Sequence, residues 1–344
     1  MKTIYIVSES FDKNDGQGVY KLAHYLYEGL SKITKVEKIE IGHETNPIRY
    51  ILNTTIFTAS HIYDKEAIYI FMCPELAWAS KGLKNSFVVV EDLLPINFEG
   101  ERKKSFVKFW KYCWNRAKQS NLISISNHTK SDILYNLYPE EDYIPEEIED
   151  NIKNIALGVD KEQFKPKGNN NKIFTIGYVG GFGKRKNVEM VIEVAKLLPQ
   201  FKFKIAGKGG NYEYLKSISP SNVRFVGYID EKDLCDYYNS LDLFLYPDLM
   251  DGWSLPVQEA MACGVPSIVH NDSVFEEVIS KDKTFAGVES NMRDQFDVKD
   301  KILKLISDKN ELDELKKNCL IVSKEYDWKK TAKEYYNYLK EKIK

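Results

Sequence analysis

Leu245-Tyr246-Pro247-Asp248-Leu249-Met250-Asp251-Gly252-Trp253-Ser254-Leu255-Pro256-Val257-Gln258-Glu259-Ala260-Met261-Ala262-Cys263-Gly264 is the stretch whose reading decides the fold. The apolar run at residues 241–246 has the length and composition of a buried strand, and a polar turn with a glycine follows it. Pro256 then stands where proline is welcome, in the first turn of a helix, and Gly264 is a natural C-terminal stop. Strand, turn and helix in that order make one unit of an α/β sheet. Asp251 falls in the turn and Glu259 about one turn into the helix, so two carboxylates can flank one pocket. Such carboxylates suit sugar and ribose hydroxyls through charge-assisted hydrogen bonds, while free N–H groups at the helix start favour a pyrophosphate.

Working outward, the same alternation recurs on both sides. Residues 3–8 read as a strand, Gly16 and Gly18 as a turn, and Val19, Leu22, Ala23, Leu26 and Leu30 as one helical face. Strands are expected at residues 36–41, 67–72, 87–90 and 122–125, with helical stretches at 105–118 and 129–137. A polar run at residues 165–171 marks the expected linker. Further strands are expected at residues 173–179, 201–206, 223–226, 241–246 and 267–270, and residues 328–344 read as an amphipathic helix. Alternating strands and helices imply parallel sheets covered on both faces.

A second turn carries chemistry. Gly180-Gly181-Phe182-Gly183-Lys184-Arg185-Lys186-Asn187 leads three cations to a helix start, an arrangement that favours a phosphate. It is not a Walker A loop, because Arg185 stands where Ser or Thr is needed and Tyr178 where the first glycine belongs. Gly16-x-Gly18 is not a dinucleotide fingerprint either, since Lys21 occupies the third glycine position.

Composition narrows the function. The 344 residues suffice for two cores. With 49 Lys+Arg against 51 Asp+Glu the net charge is -2, which supplies no field for a nucleic-acid partner. Cys73, Cys113, Cys235, Cys263 and Cys319 are scattered and have no metal-ligand spacing with the histidines, so they read as reduced thiols of a cytoplasmic protein without a metal. No window approaches the ~18 apolar residues of a membrane span, and the first residues lack a signal-peptide pattern. Charge is uneven locally: residues 102–118 carry seven cations and no carboxylate, and residues 140–150 seven carboxylates and no cation. Phe106, Phe109, Trp110, Cys113 and Trp114 form one stripe, expected to face the core, with the cations outside. Such a basic amphipathic helix also suits peripheral contact with an anionic membrane, here the inner face.

The quoted stretch resembles the E-x7-E signature of glycosyltransferase family 4 (group 1), the retaining GT-B enzymes that use nucleotide sugars, with Asp251 in place of the first Glu. Other segments are similar to that family in order: Gly16-Gln17-Gly18-Val19, residues 88–95, 124–129 and 157–160, Ile205-Ala206-Gly207-Lys208-Gly209, residues 223–229 and the Trp328 helix. The resemblance implies an α/β GT-B fold of two Rossmann-like, doubly wound parallel-sheet domains facing across a cleft. Residues 1–166, joined by the helix 328–344, would bind the acceptor, and residues 172–327 the donor.

By the same resemblance, Lys186 holds the donor pyrophosphate in place of a metal, and Gly16 and Gly18 lie on the donor side. Glu259 takes the ribose hydroxyls, and backbone near Tyr228 and Ile229 takes the base. Asp251, with the amides of Gly252, Trp253, Ser254 and Leu255, holds the sugar and its phosphates. Arg185 is the natural substitute for an arginine absent at Gly181. Glu91 replaces the family histidine and, with Asp92 and His128, is expected on the acceptor side. Asp251, Glu91 and Lys186 are the expected catalytic set, with no cofactor beyond a UDP-, GDP- or ADP-sugar and a glycan or lipid-linked acceptor. A GT-B nucleotide-sugar 2-epimerase and a non-catalytic nucleotide-sugar binding protein are the alternatives.

Overall fold

Runs that are apolar at every position become central strands, and alternating runs become edges, because only central strands are covered on both faces. In the computed structural model the first sheet contains β1 (Ile4–Ser8), β2 (Val36–Glu40), β3 (Ile68–Phe71), β4 (Ser86–Val90), β5 (Asn121–Ser124) and β6 (Ile152–Asn154). Their order is β2-β1-β3-β4-β5-β6, all parallel. Every residue of β3 and β4 is buried, whereas the edge strand β2 exposes Glu37, Lys38 and Glu40. Residues 2–15, 18–44, 46–62, 64–98, 103–137, 150–271 and 274–343 are described by the structure. Gly16, Arg102 and the carboxylates at 140–149 therefore lie outside the described residues.

The second sheet is built from β7 (Thr175–Val179), β8 (Lys202–Ala206), β9 (Val223–Gly227), β10 (Leu243–Tyr246) and β11 (Ser267–His270), followed after the short hairpin β12 (Ser280–Lys281) and β13 (Thr284–Phe285) by β14 (Gly287–Ser290). Its order is β14-β11-β10-β7-β8-β9, again parallel. β6 and β14, both outer strands, are absent from the sequence expectations: β6 is three residues long and β14 half-exposed, so neither produces a buried apolar run.

The chain divides into two units, Met1–Gly158 with Trp328–Lys344, and Val159–Asp327. The polar run at 165–171, read from composition as a linker, is instead fastened to the second unit. Asn239 donates to the Lys165 carbonyl at 3.0 Å, Asn169 to that of Leu241 at 2.7 Å, and Asn171 to that of Ser240 at 3.1 Å. Its asparagines satisfy carbonyls at the end of the helix before β10, which composition alone cannot distinguish from solvated loop.

The Trp328–Lys342 helix packs in the first unit. Trp328 stacks on Tyr25 at 4.8 Å, Tyr338 meets Phe87 edge-on at 5.7 Å, and Thr331 donates to the Ala156 carbonyl at 2.9 Å. Gly29, on the Gly18–Ser31 helix, lies against Ala332, where any Cβ would collide with the alanine methyl. Gly29→Val is therefore expected to pry the two helices apart and lower stability by about 1–3 kcal/mol, read from the denaturant midpoint.

Candidate functional site

In the second sheet the chain runs outward from β7 to β8 and β9, then returns to place β10 on the other side of β7. That reversal opens a crevice beyond the carboxyl ends of β7 and β10, the usual ligand position in a doubly wound sheet. The two loops singled out in the sequence, residues 180–187 and 247–254, leave those two strands.

Asp248, fully buried, ties the loops together. Arg185 Nη1 donates to Asp248 Oδ2 at 2.6 Å and to the Met250 carbonyl at 2.7 Å, and Lys186 Nζ donates to the same Asp248 oxygen. Lys186 Nζ also reaches the Tyr246 hydroxyl at 2.8 Å and Asp251 Oδ2 at 3.4 Å, and that hydroxyl donates to Asp251 Oδ2 at 3.0 Å. The Leu249 amide donates to the Arg185 carbonyl at 3.0 Å, closing the loops by backbone as well. Arg185, Lys186 and Asp251 thus come together, while Lys184 is exposed and does not join them.

The charges follow from this packing. Burial pushes the Asp248 carboxyl above its ordinary range, and Lys186 and Arg185 pull it only part of the way back. Burial pushes Asp251 the same way, but Lys186, Arg185 and the Tyr246 hydrogen bond overcome it and bring the carboxyl to about 2. Burial opposes the Lys186 charge, and Asp248 and Asp251 outweigh it, so the ammonium is held charged. Asp248 had no role assigned from the sequence. Nothing in its spacing separates it from Asp251; its complete burial does.

Around this cluster Glu259 is buried in the Leu255–Ala262 helix and accepts a hydrogen bond from Tyr238 at 2.9 Å. Ser254 caps that helix at φ 129°, backbone that glycine tolerates and serine adopts under strain. Trp253 is buried edge-on to Tyr326 at 5.5 Å, and its indole Nε1 has no hydrogen-bond partner among the described residues. The Gly252 amide donates to Asp251 Oδ1 at 3.0 Å. Tyr228 and Ile229 follow β9, with Lys208 Nζ 4.3 Å from the Tyr228 ring centroid. Gly207, at φ 139°, abuts the Gly180 carbonyl, an approach that leaves no room for a Cβ.

In the first sheet the order reverses between β1 and β3. The expected acceptor residues Glu91 and Asp92 follow β4, one strand away. Asp92 Oδ1 accepts from the Leu94 amide at 3.0 Å, and the Glu91 carbonyl accepts from Thr129 at 3.0 Å. His128 lies in the first turn of the Asn127–Leu137 helix, with Nε2 4.0 Å from Asp132 Oδ2, and Gly18 opens the Gly18–Ser31 helix. Tyr335, from the last helix, is near enough to Glu91 for that carboxylate to add to the upward push that burial gives the phenol. Sequence separation hid this pairing.

The crevice between β1 and β3 holds residues the sequence reading passed over. Tyr20 donates to Glu9 Oε2 at 2.9 Å and lies 3.1 Å from His43 Nδ1. Glu75 is buried beside Cys73, and burial pushes its carboxyl up to about 7, with the Glu9 and Asp92 carboxylates adding to the shift. Tyr50 and Cys113 face it too, each pushed up first by burial and then by the Glu75 charge. Among the described residues no group of three His, Cys, Asp or Glu side chains is placed to hold a metal ion.

Two outcomes are expected. Asp248→Ala takes the counter-charge from half-buried Arg185 and leaves Lys186 only Asp251, and it should lower stability by about 3–5 kcal/mol; urea titration with and without inorganic pyrophosphate checks this, and the anion should restore part of the loss. Between the ordinary glutamate value of 4.5 and about 7, folded Glu75 keeps a proton that the unfolded chain has lost, so stability falls as pH rises through that window. Glu75→Gln should flatten that slope and leave the variant the more stable at pH ~8, by on the order of 3 kcal/mol; denaturation at several pH values measures it.

The family description "Glycosyl transferases group 1" matches residues 159–319, nearly the whole second unit. The "Uncharacterized glycosyltransferase MJ1178" of Methanocaldococcus jannaschii is 26% identical over 55% of this chain and 54% of its own length. The "O-antigen chain mannosyltransferase B" of Escherichia coli is 25% identical over 46% of this chain and 44% of its own length. The chain thus spans about half the length of these curated relatives. A 41.2 kDa protein of a Klebsiella pneumoniae cps region is 30% identical over 81% of this chain and 73% of its own. Among solved structures, a sucrose-phosphate synthase (tll1590) from Thermosynechococcus elongatus superposes with TM-score 0.81 at 16% identity, covering 99% of both chains. Anabaena Alr3699/HepE, in complex with UDP and glucose, superposes with TM-score 0.74 at 14% identity, covering 99% of this chain and 100% of that one. These superpositions carry the fold, GT-B, and the matched second unit carries the lineage: the chain belongs to the group 1 glycosyl transferases.

Proposed function

We propose that this protein is a retaining, metal-independent glycosyltransferase that moves a sugar from a nucleoside diphosphate sugar to a glycan or lipid-linked acceptor. The observation that carries the reading is the pair Arg185 and Lys186, held charged on Asp248 at the β7/β10 crevice of the unit that matches the family. A diphosphate leaving group gains negative charge as its bond to the sugar breaks, and cations fixed in advance stabilise it without reorganising. Lys186 and Arg185 would do what a divalent ion does elsewhere. Glu259, already oriented by Tyr238, would take the ribose hydroxyls, and Asp251, ionised and turned by Tyr246, the sugar hydroxyls. Backbone near Tyr228 and Ile229 would hold the base.

In this reading the anomeric carbon parts from the phosphate oxygen, and the acceptor oxygen bonds on the same face. Its proton leaves with the diphosphate, so no side chain becomes a covalent nucleophile. Glu91, Asp92 and His128 serve the acceptor side, with Glu75 as a protonated hydrogen-bond donor below about pH 7. Peripheral contact with an anionic membrane, through the Lys104–Ala117 helix, would bring a lipid-linked acceptor within reach.

A thermal-shift screen of UDP, GDP and ADP sugars identifies the donor. With that donor and its acceptor, Lys186→Ala and Glu259→Ala are expected to lower kcat/KM at least ~100-fold, the order seen when a charge-stabilising group is lost, with circular dichroism unchanged. Full turnover in either variant overturns the site, and sugar release without transfer would indicate the epimerase chemistry instead.

A further inference from the structure

The crevice where the first sheet reverses, between β1 and β3, gathers side chains that the donor reading leaves unused. Glu9 follows β1, Tyr20 stands in the first turn of the Gly18–Ser31 helix, His43 follows β2, and Cys73 and Glu75 follow β3. The Glu9 side chain is 12% exposed and clasped by phenols: Tyr20 donates to Oε2 at 2.9 Å, and the Tyr50 hydroxyl is within hydrogen-bonding reach of the same carboxylate. Tyr20 has one proton to give. With that proton on Glu9, the 3.1 Å contact between the phenol oxygen and His43 Nδ1 is made by Nδ1–H donating to Tyr20. Glu9 and Tyr20 thus select the imidazole tautomer, and in the neutral ring that leaves a lone pair on Nε2. His43 is 46% exposed, and its Nε2 has no partner among the described residues. Glu75 is buried beside these groups, bonded to its own amide and to the weakly bonding Cys73 thiol, and it keeps a proton below about pH 7.

These groups define what fits. A Glu9 carboxylate and a His43 lone pair accept, and the protonated Glu75 donates. Adjacent hydroxyls of a sugar ring, each of which both gives and takes a hydrogen bond, match that set. A phosphate does not. The charges acting most strongly on Tyr20, Tyr50, Cys73 and Glu75 come from Glu9, Asp15, Glu75, Asp92 and the Cys73 thiol, and all are negative. Glu9 and Asp15 act on Tyr20 in the first turn of its helix, where free N–H groups would otherwise favour an anion. Lys13, close by in sequence, is turned to the Tyr25 hydroxyl at 3.2 Å. A phosphate ester entering here would meet like charge.

We propose that the β1/β3 crevice binds the acceptor through an uncharged sugar ring, with Glu9 and His43 accepting from neighbouring hydroxyls and Tyr20 as the positioning residue that fixes the imidazole. The inference rests on the sugar-transfer reading and narrows it: the acceptor already carries a sugar when it arrives, so an earlier glycosyl transfer must supply it. Saturation-transfer NMR on the full chain tests this with the methyl glycosides of mannose, glucose, galactose and N-acetylglucosamine. At least one should receive saturation, and its 6-phosphate should not. Glu9→Gln and His43→Gln should each weaken that binding about tenfold or more, with the unfolding midpoint and the thermal shift given by nucleotides unchanged. Tyr20→Phe should weaken it too and shift the His43 nitrogen resonances away from the Nδ1–H tautomer, a change that a merely space-filling phenol would not produce. Saturation of none of the four glycosides, or saturation that survives both glutamine variants, overturns the site. Preference for the 6-phosphate or for glucosamine overturns the ligand class, and sugar transfer onto a bare polyisoprenyl phosphate overturns the narrowing. An unmoved tautomer in Tyr20→Phe removes the positioning role. Nucleotide binding measured without glycoside tests the sugar-transfer reading separately.

Discussion

One buried carboxylate organises the second unit. Asp248 has no exposed surface, and both Arg185 and Lys186 pair with it. Removing three charges from water is costly, and the cost is offset only because each has close partners: the Met250 carbonyl for Arg185, and Tyr246 and Asp251 for Lys186. The same contacts fix the loop after β7 against the loop after β10. Those are the loops flanking the point where strand order reverses, so one ion cluster both closes the sheet's end and places two cations there. The cluster is balanced within itself, which lets it persist before any anion arrives.

The two units present different chemistry at equivalent places. At the β7/β10 crevice cations are held charged. At the β1/β3 crevice the groups are Glu9, Cys73, Glu75 and Tyr20, and burial favours their neutral or protonated forms for Glu75, Cys73 and Tyr20. Fixed positive charge suits a diphosphate; buried hydroxyls and a protonated carboxyl suit an uncharged, hydroxylated ligand. The contrast follows from which side chains each sheet places beyond its β-strand ends.

Much of this was legible in the residues. Uniformly apolar runs such as 68–71 and 87–90 read as strands buried on both faces, and they are. The helical segment over residues 47–60 escaped because its apolar residues face out; periodicity says which residues share a face and not what that face meets. Residues 165–171 looked like a linker because asparagines bonded to carbonyls and asparagines bonded to water have the same composition.

The sequence by itself determined the alternating α/β order, the two glycine loops with their charges, and the family resemblance, since these depend on local propensity and on spacing along the chain. Only the tertiary structure decided that Asp248 rather than Asp251 takes both cations, that Lys184 stays outside, that Tyr335 comes to Glu91 and that Glu75 sits among other carboxylates. Each of these depends on burial and on partners distant in sequence. The energy of a charge is set by the medium and the neighbours that folding gives it, and neither is written in its position along the chain.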